Sequence, residues 1–356
     1  MATKNILIRA DASTDIGTGH IMRCLSLARL LREHDYSVIF VCQELAGNLC
    51  DFIEEKNFQV WRLLNNPQNS DQIWQSEVAQ IISIIDRRKS KIDWLIVDHY
   101  SIDVKWESEL RPFVKRIMVI DDLADRFHDC DLLLDQTPYK NLTTRYKSLV
   151  SSSCLQLLGS DYLMLRSEFT NKSKRFTKKV AIAKKILITM GGSDARNITC
   201  WLLEALEKIQ TPLSIKIAIG ASCPFFDKIK MLAATVTLHE VYVEQSVNNI
   251  SDWMNWSDLA ICAGGFTTYE LAFMGTPTLV ISASWTQLEA ITTLHELGII
   301  KFIGEFEAIS IENMVDILNG ILFNIEERIE LSYHGSKKID GYGVIRVVEQ
   351  LMKDIT

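Results

Sequence analysis

The stretch RADASTDIGTGHIMRC, residues 9–24, ends an apolar run in a loop that carries Gly17 and Gly19 and closes on His20, after which the pattern turns helical. Glycines let backbone N–H groups come close to a ligand, and a helix N-terminus attracts anions. A histidine at such a place is either an idle cap or a proton-transfer group. The positive end of the helix dipole disfavours imidazolium, which suits a proton acceptor.

Two more glycine loops follow apolar runs, MGGSDARN at 190–197 and CAGGFTTYE at 262–270. None of the three is G-x-G-x-x-G with an acidic residue at the right distance, and none is a Walker A, so a nicotinamide cofactor or an ATP P-loop has little support. Several such loops together suit an extended, phosphate-bearing ligand. In the second loop Ser193 or Asp194 reads as an N-cap, with a carboxylate where a phosphate would bind. In the third, Thr267 to Glu270 has the form of a capping box, with Glu270 reaching back to the first N–H of the helix. The other use of a carboxylate beside a phosphate loop is to hold a ribose diol. Gly275 and Pro277 then close that short helix.

Acidic and polar residues also gather at strand ends in the first half: Asp11, Asp98-His99-Tyr100, Asp121-Asp122 and Asp135-Gln136. Each alone reads as a turn or a cap. Together they line the rim of one sheet, on the side where a substrate would lie.

The elements that must position these groups alternate along the chain. Strands are expected at 5–8, 38–41, 94–97, 116–120 and 132–134. Between the first two, apolar residues at 21, 25, 28 and 31 give a buried helix face. The pattern restarts with strands at 186–189, 215–219, 236–239, 259–261 and 278–281. Such alternation marks parallel sheets wrapped by helices. The expected fold is α/β, with two doubly wound Rossmann-like domains facing a central cleft: 1–168, a basic linker at 169–185 with seven Lys/Arg between 172 and 185, and 186–356. Ligands of such sheets bind outside the carboxyl ends of the strands.

Composition narrows the class. A chain of 356 residues with 47% apolar and 23% charged content is that of a soluble globular protein with room for two domains. A net charge of −7 and a pI near 5.6 argue against a nucleic-acid surface. The opening MATKNILIRADAST has too short an apolar core for a signal peptide, and the apolar window around 259–283 is interrupted by Glu270 and glycines, so no membrane span is expected. The eight cysteines form no CxxC pair and read as reduced core residues of a cytoplasmic protein. The seven histidines are scattered without HxxxH or HExxH, so no metal site and no cofactor are expected. The sequence leaves the oligomeric state open.

The segments RADASTDIGTGHIMRCLSLA, VDHY, IDDLADR, CDLLLDQ, LRSEF, GGSDARNIT, AGGFTTYE, LAFMGTP and DGYGVIRV recur in this order over about residues 5–348 in one known family. The chain resembles the UDP-2,4-diacetamido-2,4,6-trideoxy-β-L-altropyranose hydrolases of pseudaminic acid biosynthesis, which are similar in fold to GT-B glycosyltransferases. The resemblance implies metal-independent removal of UDP from a nucleotide sugar, with inversion at the anomeric carbon. It makes His20 the general base for water, puts Tyr100 near the sugar and Glu270 on the ribose, and places Gly264, Gly265 and Thr267 on the diphosphate-binding turn. Asp11, Gly17, Gly19 and Gln287 complete the expected ligand-binding set. Phe266, Tyr269 and Thr286 depart from the family pattern, where Ser, Trp and Asn are usual. Two other functions fit the same residues: a GT-B glycosyltransferase that uses a UDP-sugar, and a non-catalytic nucleotide-sugar-binding protein.

Overall fold

The computed structural model describes residues 4–14, 16–64, 73–88, 91–170 and 180–353. These divide into two units, one formed by 1–166 with 342–356 and the other by 167–341.

The first unit is built on a seven-stranded sheet, β1 (Asn5–Ala10), β2 (Ser37–Gln43), β3 (Gln59–Leu63), β4 (Ile92–Asp98), β5 (Val114–Ile120), β6 (Leu132–Asp135) and β7 (Leu155–Leu158), in the order β3-β2-β1-β4-β5-β6-β7. Every pairing is parallel. Central strands of a parallel sheet are covered on both faces, which is why Ile6 to Ile8 of β1 and Trp94 to Val97 of β4 read as apolar runs. Helix α1 (Gly19–Glu33) buries Ile21, Leu25, Ala28 and Leu31, the face expected from their spacing.

The second unit repeats the plan with β8 (Lys185–Thr189), β9 (Ser214–Ile219), β10 (Glu240–Gln245), β11 (Leu259–Cys262), β12 (Thr278–Ser282) and β13 (Lys301–Glu305), in the order β10-β9-β8-β11-β12-β13 and again parallel. In each sheet the first strand lies between the second and the fourth. The strand order therefore reverses between β1 and β4, and between β8 and β11. A reversal opens a crevice at the carboxyl ends of the strands, where doubly wound sheets hold ligands.

Two expectations on organisation change. The strand expected at 236–239 lies instead at Glu240–Gln245, because the pairing with β9 begins only at Glu240, opposite Ser214. The second unit does not run to the C-terminus. Val344, Val347, Val348 and Leu351 of α14 (Gly343–Met352) form a stripe at helical spacing and join the core of the first unit beside α1. Residues 171–179 of the expected linker lie outside the described residues; before them α6 (Ser167–Thr170) belongs to the second unit, and after them Ala183 is in its core. Among the described residues no helix is long and apolar enough to cross a membrane, and all eight cysteines are buried and free of disulfide bonds.

Candidate functional site

The loop after β1 delivers His20 as the second residue of α1. Ser13 shapes the loop: its Oγ accepts from the Ile16 N–H at 3.0 Å and its carbonyl from the Gly17 N–H at 2.9 Å. Gly17 has φ +81°, a left-handed conformation costly for other residues, and a Cβ at Gly17 or Gly19 would meet nothing within 4 Å. The N-cap residue Thr18 makes no side-chain capping bond, and the first turn of α1 holds no acid. Asp15 lies outside the described residues.

His20 is 6% exposed and sits against the end of β4. Because β4 pairs with β1, with Ala10 opposite Asp98, the carboxylate of Asp98 reaches the helix that follows β1. His20 Nδ1 stands 2.6 Å from Asp98 Oδ1. Arg23, one turn on, grips the same carboxylate, with Nε donating to Oδ2 and Nη2 to Oδ1, each at 2.6 Å. Burial alone would push the Asp98 carboxyl up; the Arg23 guanidinium, and then His20, hold it far below the usual carboxylate range. An ionised Asp98 only accepts, so Nδ1 of a neutral His20 carries the proton and Nε2 keeps its lone pair. This is the orientation of a general base held by a carboxylate.

Tyr100 lies edge-on to the His20 ring, with centroids 4.6 Å apart, and is 47% exposed. Its hydroxyl is 3.5 Å from Asp122 Oδ2, which Arg23 Nη1 also approaches at 3.3 Å. Burial and the charge of Asp122 raise the phenol above its ordinary range, so it keeps its proton and can donate a hydrogen bond.

Asp11 has a different place from the expected one among ligand-facing residues. It is 1% exposed, paired with Arg9 at 2.6 Å, and accepts from the Gln43 N–H at 2.8 Å. Arg9 in turn donates to Glu77 at 2.7 Å. Against burial, Arg9 first and then His99 hold Asp11 below the usual range. His99 Nε2 lies 3.3 Å from Asp11. Asp11 thus braces the loop-bearing strand ends from within.

In the second unit, the turn between β11 and α10 (Thr267–Met274) holds Gly264 at φ +83°. A Cβ there would press on the Ile291 side chain and come within 3.1 Å of Val280 Cγ1, so packing as well as φ demands glycine. A Cβ on Gly265 would lie 3.7 Å from Gln287 Nε2, which brings Gln287 beside the turn. Thr267 is the first residue of α10, and Phe266 precedes it with no side-chain cap. Counted from Phe266 as N-cap, Glu270 is the fourth helical residue, one position beyond that of a capping-box acid, and it is 1% exposed. Gly275 ends α10 at φ +68°, as expected.

The second loop is filled from within by Asp194, as the sequence suggested, although the N-cap position itself falls to Asn197 and not to Ser193 or Asp194. Asp194 accepts from the Ile198 N–H at 2.9 Å and the Thr199 N–H at 3.1 Å, so a carboxylate occupies the start of α7 (Ile198–Glu207). In the loops leading into α1 and α10, the N-cap residues Thr18 and Phe266 make no side-chain capping bond.

Asp98 appeared among the strand-end acids without a role, and Arg23 and Asp122 had none either. Arg23 had one available signal: three residues from His20, it shares that helix face. Its partner Asp98 becomes visible only through the pairing of β1 with β4.

These two doubly wound, all-parallel units define a protein of the GT-B fold class. MurG of Acinetobacter baumannii matches at TM-score 0.73 and 14% identity, over 98% of this chain and 99% of that one. The spinosyn rhamnosyltransferase SpnG, complexed with thymidine diphosphate, matches at TM-score 0.66 and 16% identity, over 98% and 100%. At such identities the likeness is one of fold. No family model matches the chain. The UDP-2,4-diacetamido-2,4,6-trideoxy-β-L-altropyranose hydrolase of Campylobacter jejuni is 30% identical over 267 residues, 74% of this chain and 86% of the hydrolase. The spore coat polysaccharide biosynthesis protein SpsG of Bacillus subtilis is 23% identical over 344 residues, 96% of this chain and 95% of SpsG. An uncharacterised protein of Methanocaldococcus jannaschii is 26% identical over 288 residues; the match takes 80% of this chain and spans 57% of that longer protein. The chain belongs to the family of the Campylobacter hydrolase.

Proposed function

We propose that the protein processes UDP-sugars, and that it hydrolyses UDP-2,4-diacetamido-2,4,6-trideoxy-β-L-altropyranose or a close relative to UDP and the free sugar. The observation that carries this reading is the His20–Asp98 pair at the start of α1, in a chain related to such a hydrolase. In the proposed step His20 Nε2 takes a proton from water as the water oxygen bonds to the anomeric carbon. The bond from that carbon to the diphosphate oxygen breaks, its electron pair leaves with UDP, and the configuration inverts. Asp98 stabilises the imidazolium that forms. The turn at Gly264, Gly265 and Thr267, with the N-terminus of α10, supplies donors to the diphosphate, and Glu270 a carboxylate to the ribose.

Incubation with a panel of UDP-sugars, without acceptor, tests this: UDP is released in stoichiometry with free sugar. The fold shared with a rhamnosyltransferase favours a second reading, transfer to an acceptor hydroxyl. Release that begins only when an acceptor is added selects that reading.

A further inference from the structure

We propose that Asp122 is the residue by which the first unit recognises the sugar part of its ligand, accepting a hydrogen bond from a sugar hydroxyl or acylamino N–H. This rests on the UDP-sugar reading above.

Five aspartates stand at the carboxyl ends of β1, β4, β5 and β6, and four are turned inward. Asp11 is held by Arg9 and the Gln43 N–H, and Asp98 by Arg23 and His20. Asp121 accepts from the Ala124 N–H at 2.9 Å and pairs with Arg126 at 3.0 Å. Asp135 accepts from the Thr137 N–H at 2.9 Å and lies 3.3 Å from Arg145. All four are at most 1% exposed.

Asp122 differs. Its side chain is 19% exposed, and its contacts to Arg23 at 3.3 Å and Tyr100 at 3.5 Å, both through Oδ2, are at the long limit for hydrogen bonds. Among the described residues no donor stands on Oδ1. The main chain behind it is fixed: the Tyr139 hydroxyl at 3.1 Å and Arg145 Nη2 at 2.9 Å both donate to the Asp122 carbonyl. Asp121 ties off the turn, with Ala124 at φ 52°. The turn thus uses one aspartate to hold itself and presents the other beside Tyr100, whose ring lies against His20. An ionised carboxylate only accepts, so the group it selects is an O–H or N–H.

The test is calorimetric titration of UDP, UDP-glucose and UDP-N-acetylglucosamine into wild type, Asp122→Asn and Asp122→Ser, with melting curves to show that each variant is folded. UDP binds all three alike. Any UDP-sugar that wild type binds more tightly than UDP loses about 10- to 100-fold in affinity in both variants, the scale of a lost bond to a charged group. A loss confined to UDP-N-acetylglucosamine identifies an acylamino N–H; a loss for both sugars identifies a hydroxyl. Unchanged sugar affinity in the folded variants, equal losses for UDP and UDP-sugar, or a wild type that binds neither sugar more tightly than UDP overturns the role of Asp122. Failure of wild type to bind UDP at all is distinct, because it removes the UDP-sugar reading as well.

Discussion

Nδ1 of His20 and Oδ1 of Asp98 lie 2.6 Å apart although 78 residues separate them in the chain. The contact exists because the sheet order reverses between β1 and β4, which sets the helix after one strand against the end of the other. Arg23 completes it, since without a guanidinium a carboxylate so deeply buried would favour its neutral form. The pair therefore combines an oriented base with a fixed negative charge behind it.

His20→Ala is expected to lower turnover at least about 10²-fold, the low end for loss of a general base. UDP affinity should stay near the wild-type value, because the backbone donors at the glycine loops remain. Asp98→Asn should lower turnover comparably by favouring the wrong tautomer, and the double variant should be little worse than either single one, as for groups that act as a unit. Steady-state kinetics on the three variants measure this. Wild-type turnover in His20→Ala removes the base assignment, and additive losses remove the pairing.

How far this was legible in the sequence follows burial. Central strands such as β1, β4, β8 and β11 are covered on both faces and read as apolar runs. The strands missed or misplaced, β3, β7, β10 and β13, are the four sheet edges. Their residues are largely half-buried or exposed, so their pattern carries little signal. His20 and the third loop were legible because glycine and a helix start leave a local mark. The brace around Asp11 and the clamp on Asp98 were not, because their partners come from strands adjacent only in the folded sheet. The return of α14 to the first unit is also a matter of tertiary packing, invisible in an amphipathic pattern that would suit either core.

Arg23→Met leaves Asp98 buried without its main counter-charge and should destabilise the fold by about 3–5 kcal/mol at pH 7. In wild type the folded-state pKa of Asp98 is depressed, so its stabilising contribution is present above about pH 4 and fades as pH falls through the folded value. In the variant that depression is relieved and protonation of Asp98 becomes easier. The gap in Tm between wild type and Arg23→Met should therefore narrow from pH 8 to pH 5. A constant gap contradicts the electrostatic account and points to lost packing alone.

Asp135 behaves in the opposite sense. Burial chiefly, and Asp122 nearby, push its carboxyl up to about 7, against the Thr137 N–H, Arg145 and Tyr146. A carboxyl raised in the folded state contributes stability fully below its unfolded value of about 4, and that contribution is lost as pH rises through about 7. Asp135→Asn cannot ionise, so its Tm should gain on wild type between pH 4 and pH 8, by on the order of 2–4 kcal/mol in stability. Parallel Tm curves across that range rule out the raised carboxyl.

Among the described residues no three His, Cys, Asp or Glu side chains converge as metal ligands would. In the proposed reaction the charge developing on a departing diphosphate would have the N-terminus of α10 to meet it. Prior treatment with EDTA is therefore expected to leave UDP release unchanged. A rate that falls with EDTA and returns with an added divalent ion defeats this prediction and favours a metal-assisted transfer.

Glu270 offers the sharpest test in the second unit. Because α10 begins at Thr267, Glu270 lies one position beyond the usual capping-box acid, and a buried carboxylate there can serve either the helix start or a ligand. If it holds the ribose, Glu270→Gln removes the charge that grips the diol while keeping the side chain's size. UDP affinity should then fall by roughly 1–3 kcal/mol, the range for a hydrogen bond to a charged group. The Tm without ligand should hardly move. Glu270→Ala should lose the same binding and also lower the Tm, since it leaves a gap where a 1% exposed side chain stood. Calorimetric titration of UDP into both variants, beside their unliganded melts, separates the two effects. Wild-type UDP affinity in the Gln variant returns Glu270 to the scaffold and leaves the diphosphate turn to hold the nucleotide without it.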